Sequence, residues 1–213
     1  MKPLDVMVLE SSPHVGDDAV HRLEQAGHRV HRCHQADAAA FPCNALRPGE
    51  TCPLANGVDV ALVVNAGAEP TPTTFEEGVG CALRAQVPLV EDSPIVPSAL
   101  APWLTALVED DDIEDAVRRG AERGWAPLRD AARVAIAPLL AAAGIEDHDV
   151  HIHFERVGRD ITVTLAGAIP AGLASGLAVR AADAVRASGR QYGRLDVRVV
   201  PTTPRHWGCV AGL

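Results

Sequence analysis

The chain has 213 residues, of which 47% are hydrophobic, and a formal net charge of −9. This length can form one large domain or two smaller ones, each with its own core. No apolar run approaches the ~18 residues that span a membrane, and the acidic balance lacks the basic surface that nucleic-acid phosphates require. We therefore expect neither a membrane nor a nucleic acid as a partner.

The N-terminal residues, the cysteine count and the single lysine limit the class of protein further. Residues 1–5 lead into an apolar run without the features of a secretion signal, and five cysteines, an odd number, do not suggest a secreted disulfide framework. Both observations predict a cytoplasmic protein. Lys2 is the only lysine among the 19 basic residues, so a phosphate-binding loop with an internal lysine and a Schiff-base lysine are excluded.

The first half of the chain alternates predicted strands with predicted helices. Apolar runs at 6–9, 58–65 and 87–92 predict buried parallel strands, and residues 28–33 predict a weaker strand. Helical periodicity predicts helices over about 16–26 and 73–85. This order indicates an α/β doubly wound parallel sheet over residues 1–108, with a ligand site at the carboxyl ends of its strands.

Residues 63–90, VVNAGAEPTPTTFEEGVGCALRAQVPLV, resemble the core of the nucleoside 2-deoxyribosyltransferase-like families, in which a strand and a polar loop lead into a Glu-x-Gly helix. The resemblance implies a pocket for a nucleoside or nucleotide-like ligand, with Glu76 as the candidate nucleophile or ribose contact. Asn65 stands where such enzymes usually carry an acid, so a binding protein without catalysis is an alternative. The implied ligand-binding residues are Ser11, Ser12, Asn65, Gly67 and Glu76.

Residues 6–33, VMVLESSPHVGDDAVHRLEQAGHRVHRC, are similar to the opening of response-regulator receiver domains. Glu10 matches one of the receiver acidic residues, whereas Asn65 replaces the phosphoacceptor and the receiver lysine is missing. This second resemblance implies a non-catalytic module for interaction or oligomerisation.

Glu76 and Glu77 also have an interpretation that needs no ligand. Thr73 or Thr74 could cap the predicted helix, and carboxylates in a first turn are stabilised by the helix dipole by ~0.3–1 kcal/mol each. We favour this helix-start role over a catalytic one, because a general acid or nucleophile also needs a partner and a shifted pKa.

A window rich in cysteine and histidine follows the second predicted strand. Thiolate and imidazole are typical zinc ligands, so zinc is the candidate cofactor, although the window lacks the CxxC spacing of a zinc finger. Strand alternation places His31 and Cys33 on one side and His34 on the other. The alternatives are a buried apolar Cys33 with solvated histidines, or a Cys43–Cys52 redox pair. The candidate metal ligands are Cys33, Cys43, Cys52 and His31.

The second half predicts a small α+β domain of order α-β-β-α-β over residues 127–201. Residues 109–126 predict an acidic, solvated helical connector, and residues 202–213 form a Pro- and Gly-rich tail. Strict alternation at 150–154 and 161–165 predicts a hairpin with a helix-covered face and a polar face that carries His151, His153 and Arg198. The segments ITVTL and LDVRVV resemble the alkaline-shock family of cytosolic proteins. Because free strand edges invite pairing, we expect any homo-oligomer to form through this domain.

Overall fold

A computed structural model of the protein describes residues 2–34, 43–46, 49–65, 77–93, 98–190 and 192–201. The chain divides into two units: the first comprises Met1–Ala126 and Val157–Arg159, and the second comprises Pro127–Arg156 and Asp160–Leu213. Among the helices within these ranges, none combines the length and the apolar character that a transmembrane segment requires.

The first unit is built on a five-stranded sheet of order β2-β1-β3-β4-β5 in which all neighbouring strands are parallel. This order is that of flavodoxin-like folds, and it confirms the predicted doubly wound sheet. The strands are β1 (Asp5–Glu10), β2 (Arg29–Arg32), β3 (Val60–Val64), β4 (Leu89–Asp92) and β5 (Leu104–Leu107). The helices are α1 (Asp17–Gln25), α2 (Pro53–Asn56), α3 (Gly78–Arg84) and α4 (Ile113–Gly124).

Both faces of this sheet are covered, which explains why its central strand is apolar at every position. All of β3 is buried. On one face, α1 and α4 pack on alternate strand residues such as Val8 and Leu62. On the other face, α3 packs on the intervening residues such as Met7 and Val63. Burial on two faces removes the polar alternation expected of a half-exposed strand.

Helix α4 is a layer of the first unit and not a solvated connector. Its buried residues are Ile113, Ala116, Val117, Gly120 and Ala121. A Cβ on Gly120 would lie 2.3 Å from Val90 Cγ2, so the helix backbone approaches the sheet closely at this glycine. The helix begins where the Asp112 side chain accepts a hydrogen bond of 3.0 Å from the Asp115 amide.

The second unit has the predicted order α-β-β-α-β. Its elements are α5 (Ala126–Ala142), β6 (His151–Val157), β7 (Asp160–Gly167), α6 (Ala171–Ala187) and β8 (Leu195–Pro201). The sheet order is β6-β7-β8, with β7 and β8 parallel. A two-residue turn joins β6 to β7, a connection that only antiparallel strands can share. The predicted covered face is confirmed, since its residues are all buried: Val150, Ile152, Phe154, Ile161, Val163 and Leu165.

Candidate functional site

The carboxyl ends of β1 and β3 form the switch point of the first sheet, where flavodoxin-like folds bind ligands. Glu10 and Val64 are partners in the register of these strands, and the Ser11 amide donates to the Val64 carbonyl at 3.0 Å. The structure therefore brings Ser11 and Ser12 next to Asn65, which directly follows β3. Two other predicted ligand residues, Gly67 and Glu76, lie outside the described residues.

Carboxylates surround the start of α1, the place where this fold would hold a phosphate. The buried Glu10 accepts a hydrogen bond of 3.0 Å from the Gly16 amide, and its carboxylate pairs with Arg32 at 3.0 Å. Arg32 also pairs with Asp17 and thereby lowers the pKa of that carboxyl. On β4, burial raises the pKa of Asp92, and the nearby charge of Asp111 adds to this effect. An anionic group is disfavoured at this edge.

A second site lies on the α3 face of the same unit, where a pocket of about 170 Å³ is lined by four cysteines. Three of them come from the segment after β2, and the fourth comes from α3. None of the four forms a disulfide. The complete lining is Met7, Cys33, His34, Cys43, Ala45, Cys52, Pro53, Leu54, Glu77, Gly78, Cys81 and Arg84.

Cys33 is the pocket thiol that packs against the core under α3. Burial raises the pKa of Cys33 to about 11, and the neighbouring sulfurs of Cys43, Cys52 and Cys81 add to the rise. Cys33 is therefore a neutral thiol at physiological pH and a poor nucleophile. Gly78 allows the close packing here, because a Cβ on it would lie 2.4 Å from Leu9 Cδ2 and 3.2 Å from Cys33 Sγ.

Cys81 has a charged side chain as its neighbour. Arg84 follows it by one helical turn, and Arg84 Nη2 donates to Cys81 Sγ at 3.2 Å. A guanidinium beside a sulfur stabilises the negative charge of the thiolate, which is the form that attacks electrophiles. The pocket thus combines the neutral thiol of Cys33 with a second thiol that accepts a hydrogen bond from a guanidinium.

The predicted metal ligands are only partly brought together. Cys33, Cys43 and Cys52 line the pocket, but His31 does not, since its Nε2 lies 3.1 Å from Asp5 Oδ1. His34 lines the pocket instead, because β2 ends at Arg32 and the strand alternation used in the prediction stops there. Within the described ranges, no group of three His, Cys, Asp or Glu side chains is arranged to hold a metal ion.

Sequence reasoning missed Cys81 and Arg84. Cys81 lies far along the chain from the other cysteines, so no local spacing connects them. The available signal was the topology, because a helix that follows β3 can pack beside the end of β2 on the same face of the sheet. Glu77, which precedes α3, is exposed and makes no capping hydrogen bond with its side chain.

No family model, curated protein or solved structure matches this chain significantly.

Proposed function

We propose that the first unit is a thiol–disulfide redox module, in which Cys81 is oxidised first and a neighbouring pocket cysteine then forms a disulfide with it. The observation that carries this proposal is the convergence of Cys33, Cys43, Cys52 and Cys81 on one pocket. A buried cysteine with only a structural role behaves as a small apolar residue, whereas paired oxidation needs a second thiol within reach.

The chemistry is a two-electron oxidation by a hydroperoxide. The Cys81 sulfur attacks the terminal peroxide oxygen, the O–O bond breaks, and the leaving oxygen takes up a proton to form an alcohol, or water from hydrogen peroxide. A second pocket thiol attacks the resulting sulfenic acid, so an S–S bond forms and water leaves. Arg84 supports the first step because it donates to the sulfur that must carry negative charge.

The test uses the reduced full chain in a Cys209→Ser background, so that only the pocket thiols are counted. One equivalent of hydrogen peroxide should remove two thiols, and dithiothreitol should restore them. Cys81→Ser should slow the loss at least about tenfold, because the supported thiol is absent. The matched control is Cys33→Ser, which removes a neutral thiol and should leave formation of the sulfenic acid intact, as detected by dimedone labelling.

The proposal fails if Cys81→Ser oxidises at the parental rate. It also fails if the purified chain carries stoichiometric zinc that protects the thiols, since that result favours the alternative of a Cys/His metal site with zinc as cofactor.

A second candidate function is the binding of an uncharged nucleoside at the switch point. The adjacency of Ser11 and Asn65 favours it, and the carboxylates around α1 favour a nucleoside over a nucleotide. Nucleosides should raise the melting temperature, and the corresponding triphosphates should not. Asn65→Ala and Glu76→Gln should each remove the effect. Equal stabilisation by the triphosphates, or none by any nucleoside, contradicts this candidate.

A further inference from the structure

The two edges of the second-unit sheet differ in how their backbone groups are satisfied. An edge strand presents unpaired amides and carbonyls that invite another strand. At the start of β6, Arg129 Nε donates to the Ile152 carbonyl at 3.2 Å, and Arg133 Nη2 donates at 3.4 Å to the carbonyl of Val150, which directly precedes the strand. Arginines of helix α5 thus cover the start of the β6 edge.

In the first unit, arginine side chains likewise bond to the carbonyls of the edge strand β5. Arg123 Nη1 donates to the Thr105 carbonyl at 3.1 Å, and Arg119 Nη2 donates to the Leu107 carbonyl at 3.4 Å. Both arginines come from α4, the helix that packs beside β5. Arginines from an adjacent helix therefore protect an edge strand in each unit.

The edge of β8 lacks this protection within the part of the chain that the structure describes. The Ile161 amide of β7 donates to the Arg194 carbonyl at 2.8 Å, and Ile161 is the register partner of Leu195. In a parallel ladder this geometry turns the backbone groups of Leu195, Val197 and Val199 away from β7. The open edge ends at Pro201, which has no amide hydrogen to donate.

The sequence of β8 is complementary to itself in charge. When a second copy runs antiparallel with Val197 opposite Val197 of the partner subunit, Asp196 lies opposite Arg198 of the partner subunit. Opposite charges in cross-strand pairs are stabilising. The backbone amide and carbonyl of Val197 point away from β7, so the two Val197 residues form a hydrogen-bonded pair across the axis. The pairs of Asp196 with Arg198 of the partner subunit are then non-hydrogen-bonded pairs, in which the side chains lie closest.

We propose that the second unit forms a homodimer through antiparallel pairing of β8 with β8 of a second copy, which joins two three-stranded sheets into one. Asp196 and Arg198 are ion-paired within one chain at 2.8 Å, with side chains 38% and 65% exposed. Both charges are therefore already at the surface and can exchange this contact for one across the axis. This inference is independent of the redox proposal, because it concerns other residues in the other unit.

Sedimentation velocity of the full chain tests the pairing through charge reversal. Asp196→Arg and Arg198→Asp each place like charges opposite each other at both symmetric positions, and each should raise the dimer dissociation constant at least about tenfold. The double variant should restore the parental constant. An equimolar mixture of the two single variants should form a heterodimer, because every cross-strand pair is again oppositely charged.

The matched control is Asp183→Arg, which makes the same charge change on α6 in an exposed ion pair with Arg186. It should leave the dissociation constant within about twofold of the parental value, since exposed ion pairs contribute little. A parent that is monomeric at all concentrations overturns the proposal. So does a dimer that ignores both single reversals, or a mixture of single variants that fails to form the heterodimer.

Discussion

Replacing Gly78 by alanine tests the packing that forms the cysteine pocket. The new Cβ would lie 2.4 Å from Leu9 Cδ2 and 3.2 Å from Cys33 Sγ. Carbon atoms in favourable contact are ~3.5–4.0 Å apart, so either α3 or the Leu9 side chain must move by about an ångström. Leu9 is buried in the core under α3, which leaves it little room to yield.

The size of the effect follows from two opposing contributions. Overpacking of a filled core costs ~1–3 kcal/mol, whereas alanine is favoured over glycine in a helix by ~1 kcal/mol. We expect Gly78→Ala to lower the free energy of unfolding by up to ~2 kcal/mol. Gly80→Ala in the same helix is the matched control, because its Cβ meets nothing within 4 Å. This control should be neutral or stabilising.

Urea unfolding of both variants and the parent, with the midpoint and slope of the first-unit transition, measures this difference. Alkylation of Cys33 at high pH gives a second readout, because a displaced α3 should expose the thiol and increase its reaction rate in Gly78→Ala alone. The reasoning is refuted if the two alanine variants have the same stability and the same Cys33 alkylation rate.

Two further predictions concern other parts of the first unit. His28 is buried and accepts a hydrogen bond from the Leu4 amide at 3.0 Å, and burial, followed by the charge of Arg118, lowers the pKa of His28. The stability that depends on neutral His28 is therefore complete above about pH 6.5, the ordinary pKa of histidine. Below this pH the free energy of unfolding falls by up to ~1.4 kcal/mol per pH unit, because the unfolded chain binds the proton more readily than the folded one. Between pH 7.5 and 5.5, urea unfolding should show a smaller loss of unfolding free energy for His28→Gln than for the parent. An equal loss in the two proteins contradicts this. Gly120→Ala should destabilise the first unit by up to ~2 kcal/mol, since overpacking outweighs the helix preference for alanine and its Cβ would lie 2.3 Å from Val90 Cγ2. A melting temperature like that of Gly80→Ala argues against it.

The sheet of the first unit was predictable where the hydrophobic pattern is strong. The apolar runs that form β1, β3 and β4 follow directly from burial on both faces. Strand β5 was missed because LTAL is short, only partly buried and composed largely of helix-favouring Leu and Ala. Its role as an edge strand follows from the neighbouring β4 and α4, which sequence periodicity does not report.

Helix α4 shows how charge can hide an amphipathic pattern. The many acidic and basic residues around it suggested a solvated connector. Its buried residues nevertheless recur at helical spacing, with Ile113, Ala116, Val117 and Gly120 on one face. Two of them, Ala116 and Gly120, have little or no side chain, which allows the helix to approach the sheet closely.

The cysteine pocket could be predicted only in part, for a topological reason. The cluster of Cys33, Cys43 and Cys52 was visible as a local composition. The fourth thiol, Cys81, depends on the long-range packing of α3 on the sheet, and the exchange of His31 for His34 depends on where β2 ends. Local spacing contains neither piece of information.

Disulfide mapping of the oxidised chain shows whether Cys81 pairs with another cysteine of the pocket. After one equivalent of hydrogen peroxide, blocking of the remaining thiols and proteolysis without reduction, mass spectrometry identifies the linked peptides. The redox proposal predicts that Cys81 is joined to Cys33, Cys43 or Cys52, because these four thiols line one pocket. A disulfide that leaves Cys81 reduced, or oxidation that yields only sulfinic and sulfonic acids without any link to Cys81, would contradict it.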